Sequence, residues 1–249
     1  MKITLITVSY NSSETIRETF ESVRAQRKKC FELEYIHVDG LSSDSTMDIS
    51  MEFDDIITKR ISEKDSGIYN AMNKGIKLAT GDIIAFLNSD DTFADKEILE
   101  KIAYTFCKNP EIEIVYGDVN YVTKEGSLYR RWRTGIQRSF AIGWHPAHPA
   151  FYAKKSLYEN YGDFDETFPI AADFDIMLRF MEIASPRTYY LKKAFVDMKI
   201  GGESNASISN INKARKEIES IFRKYGVVKM PFYTVFRWSR KLIQRFLYV

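Results

Sequence analysis

The sequence predicts an α/β fold with a mainly parallel central sheet flanked by helices. Three observations predict it. Short apolar, β-branched runs alternate with segments of helical periodicity. The runs end at turn or polar residues, such as Tyr10-Asn11, Asp39-Gly40 and Asn88 to Asp91. The run Ile83 to Leu87 is apolar throughout, as a strand covered on both faces is.

In chain order, Ile3 to Ser9 reads as the first strand. Ser13 opens a helical pattern with Ile16, Phe20 and Val23 on one face. Tyr35 to Val38 is a second buried strand, Thr46 to Phe53 a weaker helix, and Ile56 to Ile61 a third strand. Ile68 to Ala79 is a helix whose Ala71, Met72, Gly75 and Ile76 can pack, closed by Thr80-Gly81. Ile83 to Leu87 follows as a strand. Beyond it, Ile114 to Tyr116 and Val119 to Val122 read as two strands around Gly117-Asp118. Ser156 to Tyr161, Phe174 to Ile183 and Ile211 to Tyr225 read as helices. There is no internal repeat and no low-complexity segment.

A length of 249 residues fits one globular domain with an appendage. The net charge of +2 gives no reason to expect nucleic-acid binding. Cys30 and Cys107 follow no metal or redox spacing and read as reduced thiols in a cytoplasmic protein. The N-terminus lacks the pattern of a secretory signal, and no apolar run reaches the ~18 residues of a spanning helix.

The polar residues of the first half cluster at predicted strand ends: Tyr10-Asn11, Asp39, Asp65, and Asn88 to Asp91. In an open parallel sheet all those ends face one crevice, where ligands bind. Carboxylates gathered there repel one another unless a cation compensates, and a hard ion, Mn2+ or Mg2+, bridging to diphosphate oxygens does so economically. Singly, Asp39 or Asp44 reads as a turn or helix cap. The adjacent pair Asp90-Asp91 after five apolar residues is the stronger sign.

Several runs in order resemble the family-two inverting glycosyltransferases. They are Thr7-Val8-Ser9-Tyr10-Asn11, Val38-Asp39-Gly40 with Ser42, Asp44 and Thr46, and Gly81-Asp82 leading to Leu87-Asn88-Ser89-Asp90-Asp91. Asp65 to Gly75 is similar to a branch acting in bacterial polysaccharide synthesis, and His148 to Lys155, Gly162 to Asp165 and Ala172 to Asp175 also fit. The resemblance covers roughly residues 1–185. It implies the GT-A fold, a Rossmann-like sheet, and transfer of a sugar from a nucleotide-diphosphate donor, a UDP-sugar, to an acceptor hydroxyl. The nucleotide-binding part is expected over about 1–118 and the acceptor part over about 119–226.

The resemblance also implies roles. Thr7 and Asn11 belong to the nucleotide-sugar site, Tyr10 contacts the nucleobase, and Asp39 accepts its imide hydrogen. Asp65 lies in the sugar pocket. Asn88-Ser89-Asp90 stands at the family's Asp-X-Asp site, with Asp90 the metal ligand, Asn88 in place of the first Asp, and Asp91 a second carboxylate for the ion. Asp173 is the general base, against the plain alternative that it caps the helix near Phe174. His148 is expected to contact donor or acceptor, while His145 and His37 are structural. Arg131, within Arg130 to Arg133, reads either as a solvated face or as a phosphate contact to donor or acceptor.

The tail, 227–249, changes character. Phe232, Val235, Phe236, Leu242, Ile243 and Phe246 share one helical face, Arg237, Arg240, Lys241 and Arg245 the other, and no acidic residue follows Glu219. This is a basic amphipathic appendage that either lies on the cytoplasmic membrane surface, which suits a lipid-linked glycan acceptor, or packs on protein. Two other readings of the chain stand beside the transferase. A sugar nucleotidyltransferase carries an early glycine-rich phosphate loop, where this chain has Tyr10-Asn11-Ser12-Ser13. A non-catalytic sugar-nucleotide-binding scaffold would have its acids far apart.

Overall fold

The computed structural model describes residues 1–200, 208–231 and 233. Most of the tail expected over 227–249, namely 232 and 234–249, lies outside the described residues. The start of that segment packs back on the body: Met230 N–H donates to the Ala141 carbonyl at 3.1 Å, and Tyr233 meets Phe222 edge-on at 5.7 Å. No helix among the described residues is long and apolar enough to cross a membrane.

The first half is β1 (Lys2–Ser9), α1 (Ile16–Arg24), β2 (Glu32–Asp39), α2 (Thr46–Met51), β3 (Lys59–Ser62), α3 (Ile68–Leu78) and β4 (Ile83–Phe86). Then come β5 (Asp91–Phe93), α4 (Ile98–Lys108), β6 (Ile114–Val122), β7 (Leu128–Trp132), β8 (Phe151–Lys154), α5 (Lys155–Tyr161), α6 (Ala172–Leu178), β9 (Thr188–Lys199) and α7 (Ile208–Lys224). One nine-stranded sheet runs β3-β2-β1-β4-β8-β6-β9-β5, with β7 paired on β6. The pairings put β1 to β4, β6 and β9 in one direction and β5, β7 and β8 in the other. The sheet is therefore mainly parallel. Only Leu87 to Asp90 separate β4 from β5, although β5 ends the strand order, so the sheet curls.

Both faces are covered, as the apolar runs require. On one face Ile6, Val8, Ile36, Val38 and Phe86 pack with Met72, Phe174 and Phe222 from α3, α6 and α7. On the other, Ile3, Leu5, Tyr35 and Val115 pack with Phe20 of α1 and Ile102 and Phe106 of α4.

Five elements, β5, α4, β7, β8 and β9, are additions to the sequence reading. The two strands expected around Gly117-Asp118 are one, β6, with a register irregularity against β9 at those residues. Gly117 is required there because a Cβ would lie 2.5 Å from the Phe195 ring. The helix expected to run through Ile183 stays α-helical only to Leu178 and widens into a π-turn over Arg179–Ile183.

Candidate active site

Asp39 ends β2 and is fully buried. Register places Ser9 of β1 opposite it on one side and Ser62 of β3 on the other. Its Oδ1 accepts from Ser9 Oγ at 2.9 Å and Ser42 Oγ at 2.5 Å. Its Oδ2 accepts from Ser42 N–H at 2.8 Å and Ser62 Oγ at 2.7 Å. Burial pushes its carboxyl up, but these donors, Ser42 foremost, outweigh burial and hold it below the usual range. All four lone-pair positions are used, so a base's imide hydrogen reaches this carboxylate only when a serine hydroxyl turns away.

The donors belong to a longer chain with one proton order. Arg60 Nε donates to Ser50 Oγ at 2.7 Å, Ser50 Oγ meets His37 Nδ1 at 2.7 Å, and His37 Nε2 meets Ser9 Oγ at 2.8 Å. Arg can only donate and ionised Asp can only accept. Ser9 therefore gives its hydrogen to Asp39, His37 donates from Nε2, and Ser50 donates to the bare Nδ1. This requires neutral His37, and burial lowers its pKa to about 4. His37 is thus a structural relay beneath the edge, a more specific role than core packing.

Tyr10, Gly40 and Asp65 meet above it. A Cβ on Gly40 would lie 2.4 Å from Asp65 Oδ2 and 3.4 Å from Tyr10 Cδ2. Tyr10 keeps 65% of its surface open, enough to offer a ring face to a base. Asp65 Oδ1 accepts the Gly67 N–H at 3.0 Å and so shapes the entry to α3. Asn11 (φ 48°) accepts Ser43 N–H at 2.9 Å and donates its own N–H to Ser42 Oγ at 2.8 Å, pinning the β1 loop to the β2 loop. Asp44 does the capping work expected of it alone, accepting from Thr46 and Ser13 N–H, both at 3.0 Å. Thr7 is not brought to this edge: it is fully buried, with its hydroxyl 2.8 Å from that of Tyr35.

The segment after β4 joins the same edge through Ser89 Oγ, 2.9 Å from Ser12 Oγ. Asp90 is half-buried. Asp91 opens β5 only 1% exposed, and its Oδ2 accepts from Asn88 Nδ2 at 2.9 Å. Burial first, then the charge of Asp90, holds its carboxyl well above the carboxylate range. The expectation of Asp91 as a second metal carboxylate is corrected accordingly: its side chain is turned inward. Among the described residues no group of three His, Cys, Asp or Glu is placed to hold a metal. A site of one half-buried carboxylate still fits a hard ion that takes its remaining ligands from diphosphate oxygens and water.

Asp173 lies in the first turn of α6, half-buried. Its Oδ1 accepts the Phe174 N–H at 2.7 Å and lies 3.4 Å from Tyr69 Oη. Tyr69 sits in the first turn of α3, whose entry Asp65 shapes, so the start of that helix joins the Asp65 loop to Asp173. His148 is 8% exposed, stacks on Phe86 at 5.3 Å and meets Phe164 edge-on at 5.5 Å, while Phe164 stacks on Tyr69 at 5.4 Å. Burial lowers its pKa to about 4, so it presents a neutral ring in an aromatic layer under the edge. His145 packs between Trp132 and Phe174. Arg131 is half-buried on β7, its Nε donating to Asn120 Oδ1 at 3.0 Å, with Asn120 Nδ2 in turn 2.7 Å from Asp197 Oδ1. It belongs to a cross-strand polar row.

Sequence reasoning gave no role to Glu166. It accepts from Ser66 Oγ at 3.3 Å, Asn70 Nδ2 at 3.1 Å and Asn73 Nδ2 at 2.9 Å, tying the Asp65 loop and α3 to the strand-free segment before α6. Asn70 and Asn73, three apart on one helix face, were the available signal.

The sequence model described as glycosyl transferase family 2 matches residues 4–172. The chain belongs to this family. Over 189 residues this glycosyltransferase is 28% identical to a PGL/p-HBAD biosynthesis glycosyltransferase of Mycobacterium bovis, covering 73% of this chain and 72% of the relative. It is 26% identical over 221 residues to a glucosyl-dolichyl phosphate glucuronosyltransferase of Haloferax volcanii, covering 80% and 70%. S. aureus TarS in complex with UDP-GlcNAc superposes with a TM-score of 0.69 at 19% identity, over 98% of this chain and 70% of that one. The mannosyltransferase PcManGT of Pyrobaculum calidifontis, in complex with GDP-Man and Mn2+, superposes with a TM-score of 0.66 at 16% identity, over 96% and 69%. The glycosyltransferase has the GT-A fold of these neighbours.

Proposed function

We propose that this glycosyltransferase moves a sugar, with inversion, from a UDP-sugar to a hydroxyl of a lipid-linked glycan acceptor in cell-surface polysaccharide synthesis, at the inner face of the cell membrane. The observation that carries the reading is the Asp65–Tyr69–Asp173 connection, which sets a carboxylate on a helix start beside the edge where Tyr10, Gly40 and Asp65 meet. The UDP-GlcNAc bound to TarS supports the donor class, and the dolichyl phosphate in the archaeal relative's name supports a lipid-linked acceptor.

In this reading Tyr10 faces the base, and Asp39 receives the imide hydrogen as Ser42 or Ser62 turns aside. Asn88 and Ser89 approach the ribose, and Asp65 holds the sugar. Asp90 would hold Mn2+ or Mg2+ together with the diphosphate, in keeping with PcManGT, a neighbour in complex with GDP-Man and Mn2+. When bound, the ion supplies Lewis acidity that neutralises the leaving group. Asp173 takes the proton of the acceptor hydroxyl on the face opposite the diphosphate, which makes the displacement direct and inverting. Arg131 is the cationic group available to an acceptor phosphate. Asp173→Asn is expected to abolish sugar transfer while UDP binding, followed by calorimetry, stays unchanged. Near-normal turnover of that variant removes Asp173 from the mechanism.

A further inference from the structure

The peptide unit between Ile170 and Ala171, just ahead of Asp173, is held from both sides. Its carbonyl accepts from Tyr69 Oη at 2.9 Å. Its N–H, on Ala171, donates to Glu217 Oε2 at 2.9 Å, and the N–H of Ile170 donates to the same oxygen at 3.0 Å. Glu217 comes from α7 and is 8% exposed. Its other oxygen, Oε1, is buried without a hydrogen-bond partner. α6 has no side-chain cap of its own at Ala171, so a carboxylate from a distant helix serves the amides at its entry.

That is a costly way to cap a short helix. A side chain at the N-cap position 171 would accept from the amides two or three residues on, so it could not serve the Ile170 and Ala171 N–H groups, and the Glu217 carboxylate that does so is left with one buried oxygen unpaired. The gain is positional. Tyr69 Oη touches both the Ile170 carbonyl and, at 3.4 Å, Asp173 Oδ1. Movement of the 170–171 peptide therefore shifts Asp173 along the chain and Tyr69 through space. α7 is also anchored independently of Glu217. Lys224 reaches Asp165 at 2.8 Å and Asp175 at 3.4 Å, and Phe222 packs edge-on against Phe174 at 5.6 Å.

We propose that Glu217 is a positioning residue for Asp173. By gripping the Ile170–Ala171 peptide it fixes the first turn of α6, and with it the point at which the Asp173 carboxylate meets the acceptor hydroxyl. The inference rests on the reading of Asp173 as general base. It extends the working site onto α7, which lies beyond the residues 4–172 matched to the family.

The test uses the full chain with Mn2+ added and three variants: Glu217→Ala, Glu217→Gln and Asp173→Asn. Transfer of the sugar to water, with UDP as the leaving group, is followed as UDP formed from UDP-glucose, UDP-galactose and their N-acetyl forms, UDP affinity is measured by calorimetry, and folding is followed by thermal unfolding. Glu217→Ala is expected to lose about 10- to 100-fold in turnover while UDP affinity stays within about twofold and unfolding remains cooperative. Glu217→Gln keeps one oxygen able to accept both amides and is expected to stay within about threefold of wild type. Wild-type turnover in Glu217→Ala with Asp173→Asn inactive overturns the role of Glu217 alone. So does a Gln variant that falls as far as Ala, or a loss of UDP affinity parallel to the loss of turnover. Normal turnover in Asp173→Asn overturns the base assignment and this inference with it.

Discussion

Replacing Asp39 by Asn tests whether the proton order beneath the edge is real. The asparagine amide offers one acceptor and one donor group where the carboxylate accepts on both oxygens. With its oxygen at the Oδ1 position, its NH2 faces the Ser42 N–H, which sits 2.8 Å from Oδ2 and cannot reverse. With the amide flipped, the NH2 faces Ser9, which must then turn its hydrogen toward His37. His37 shifts its proton to Nδ1 and donates to Ser50, which already receives the fixed donor Arg60 Nε at 2.7 Å. The first orientation sets one buried donor against another, the second turns the Ser50 hydrogen away from the His37 Nδ1 acceptor it had, and the bonds that remain lose their charge assistance. One unsatisfied buried donor costs about 1–3 kcal/mol and a charge-assisted bond exceeds a neutral one by about 1 kcal/mol, so a loss of about 3 kcal/mol is expected. Urea unfolding of wild type and Asp39→Asn at neutral pH measures it, and a UDP titration of the variant shows whether the edge still binds. A stability change below about 1 kcal/mol would falsify the proton order, because only a rearrangeable network absorbs the substitution that cheaply.

Gly40→Ala separates binding from stability: Gly40 lies outside the positive-φ region, but the new Cβ would sit 2.4 Å from Asp65 Oδ2, so UDP-sugar affinity is expected to fall about tenfold with little change in the melting temperature. Unchanged affinity by calorimetry excludes Asp65 from the sugar pocket. Gly117→Ala does the reverse, driving a Cβ against the fully buried Phe195 ring at 2.5 Å, with an expected loss of about 2 kcal/mol in urea unfolding and no change in UDP affinity. Glu34 gives a pH signature at the far end of the sheet. Burial opposes its ionisation, but Thr4, Thr80 and Lys59 outweigh burial and lower its pKa from 4.5 to about 2. Its contribution, on the order of 3 kcal/mol, is therefore full above pH 4.5 and lost as pH falls toward 2, so the stability gap between wild type and Glu34→Gln should shrink to about 1 kcal/mol by pH 3. A gap that does not change with pH refutes the assignment.

The parts of the fold written in local periodicity were legible. β1, β2 and β4 are apolar runs, and α1 and α3 carry a buried stripe that repeats with the helical turn. α4 carried the same signal, with Ile98, Leu99, Ile102, Ala103 and Phe106 buried, and went unread. β8 and β9 were not legible in this way. β8 is four residues long, and the alternation of β9 is broken near Lys192-Lys193, where its register against β6 slips. The site divided along the same line. Asp39, Asp65, Asp90 and Asp173 announced themselves as acids at element ends. The donors that set Asp39 did not: Ser9 and Ser62 become its partners only once strand register is known, and Ser42, three residues on, only once the loop after β2 turns back.

The pair Asp90-Asp91 shows how local backbone geometry also decides chemistry. Ser89 and Asp90 form a turn, closed by the Asp91 N–H donating to the Asn88 carbonyl at 3.2 Å, and β5 starts at Asp91, so the two adjacent acids stand in different surroundings. Here Asp91 faces in, at 1% exposure, and Asp90 stays half-buried. The inward acid then needs a donor, and Asn88 supplies it through Nδ2 at 2.9 Å. An ionised Asp at position 88 has no hydrogen to give and would add a negative charge beside Asp90. The departure of Asn88 from the Asp-X-Asp pattern and the burial of Asp91 are thus one feature: the amide compensates the acid three residues on, and in the proposed mechanism Asp90 is the carboxylate that would hold the ion.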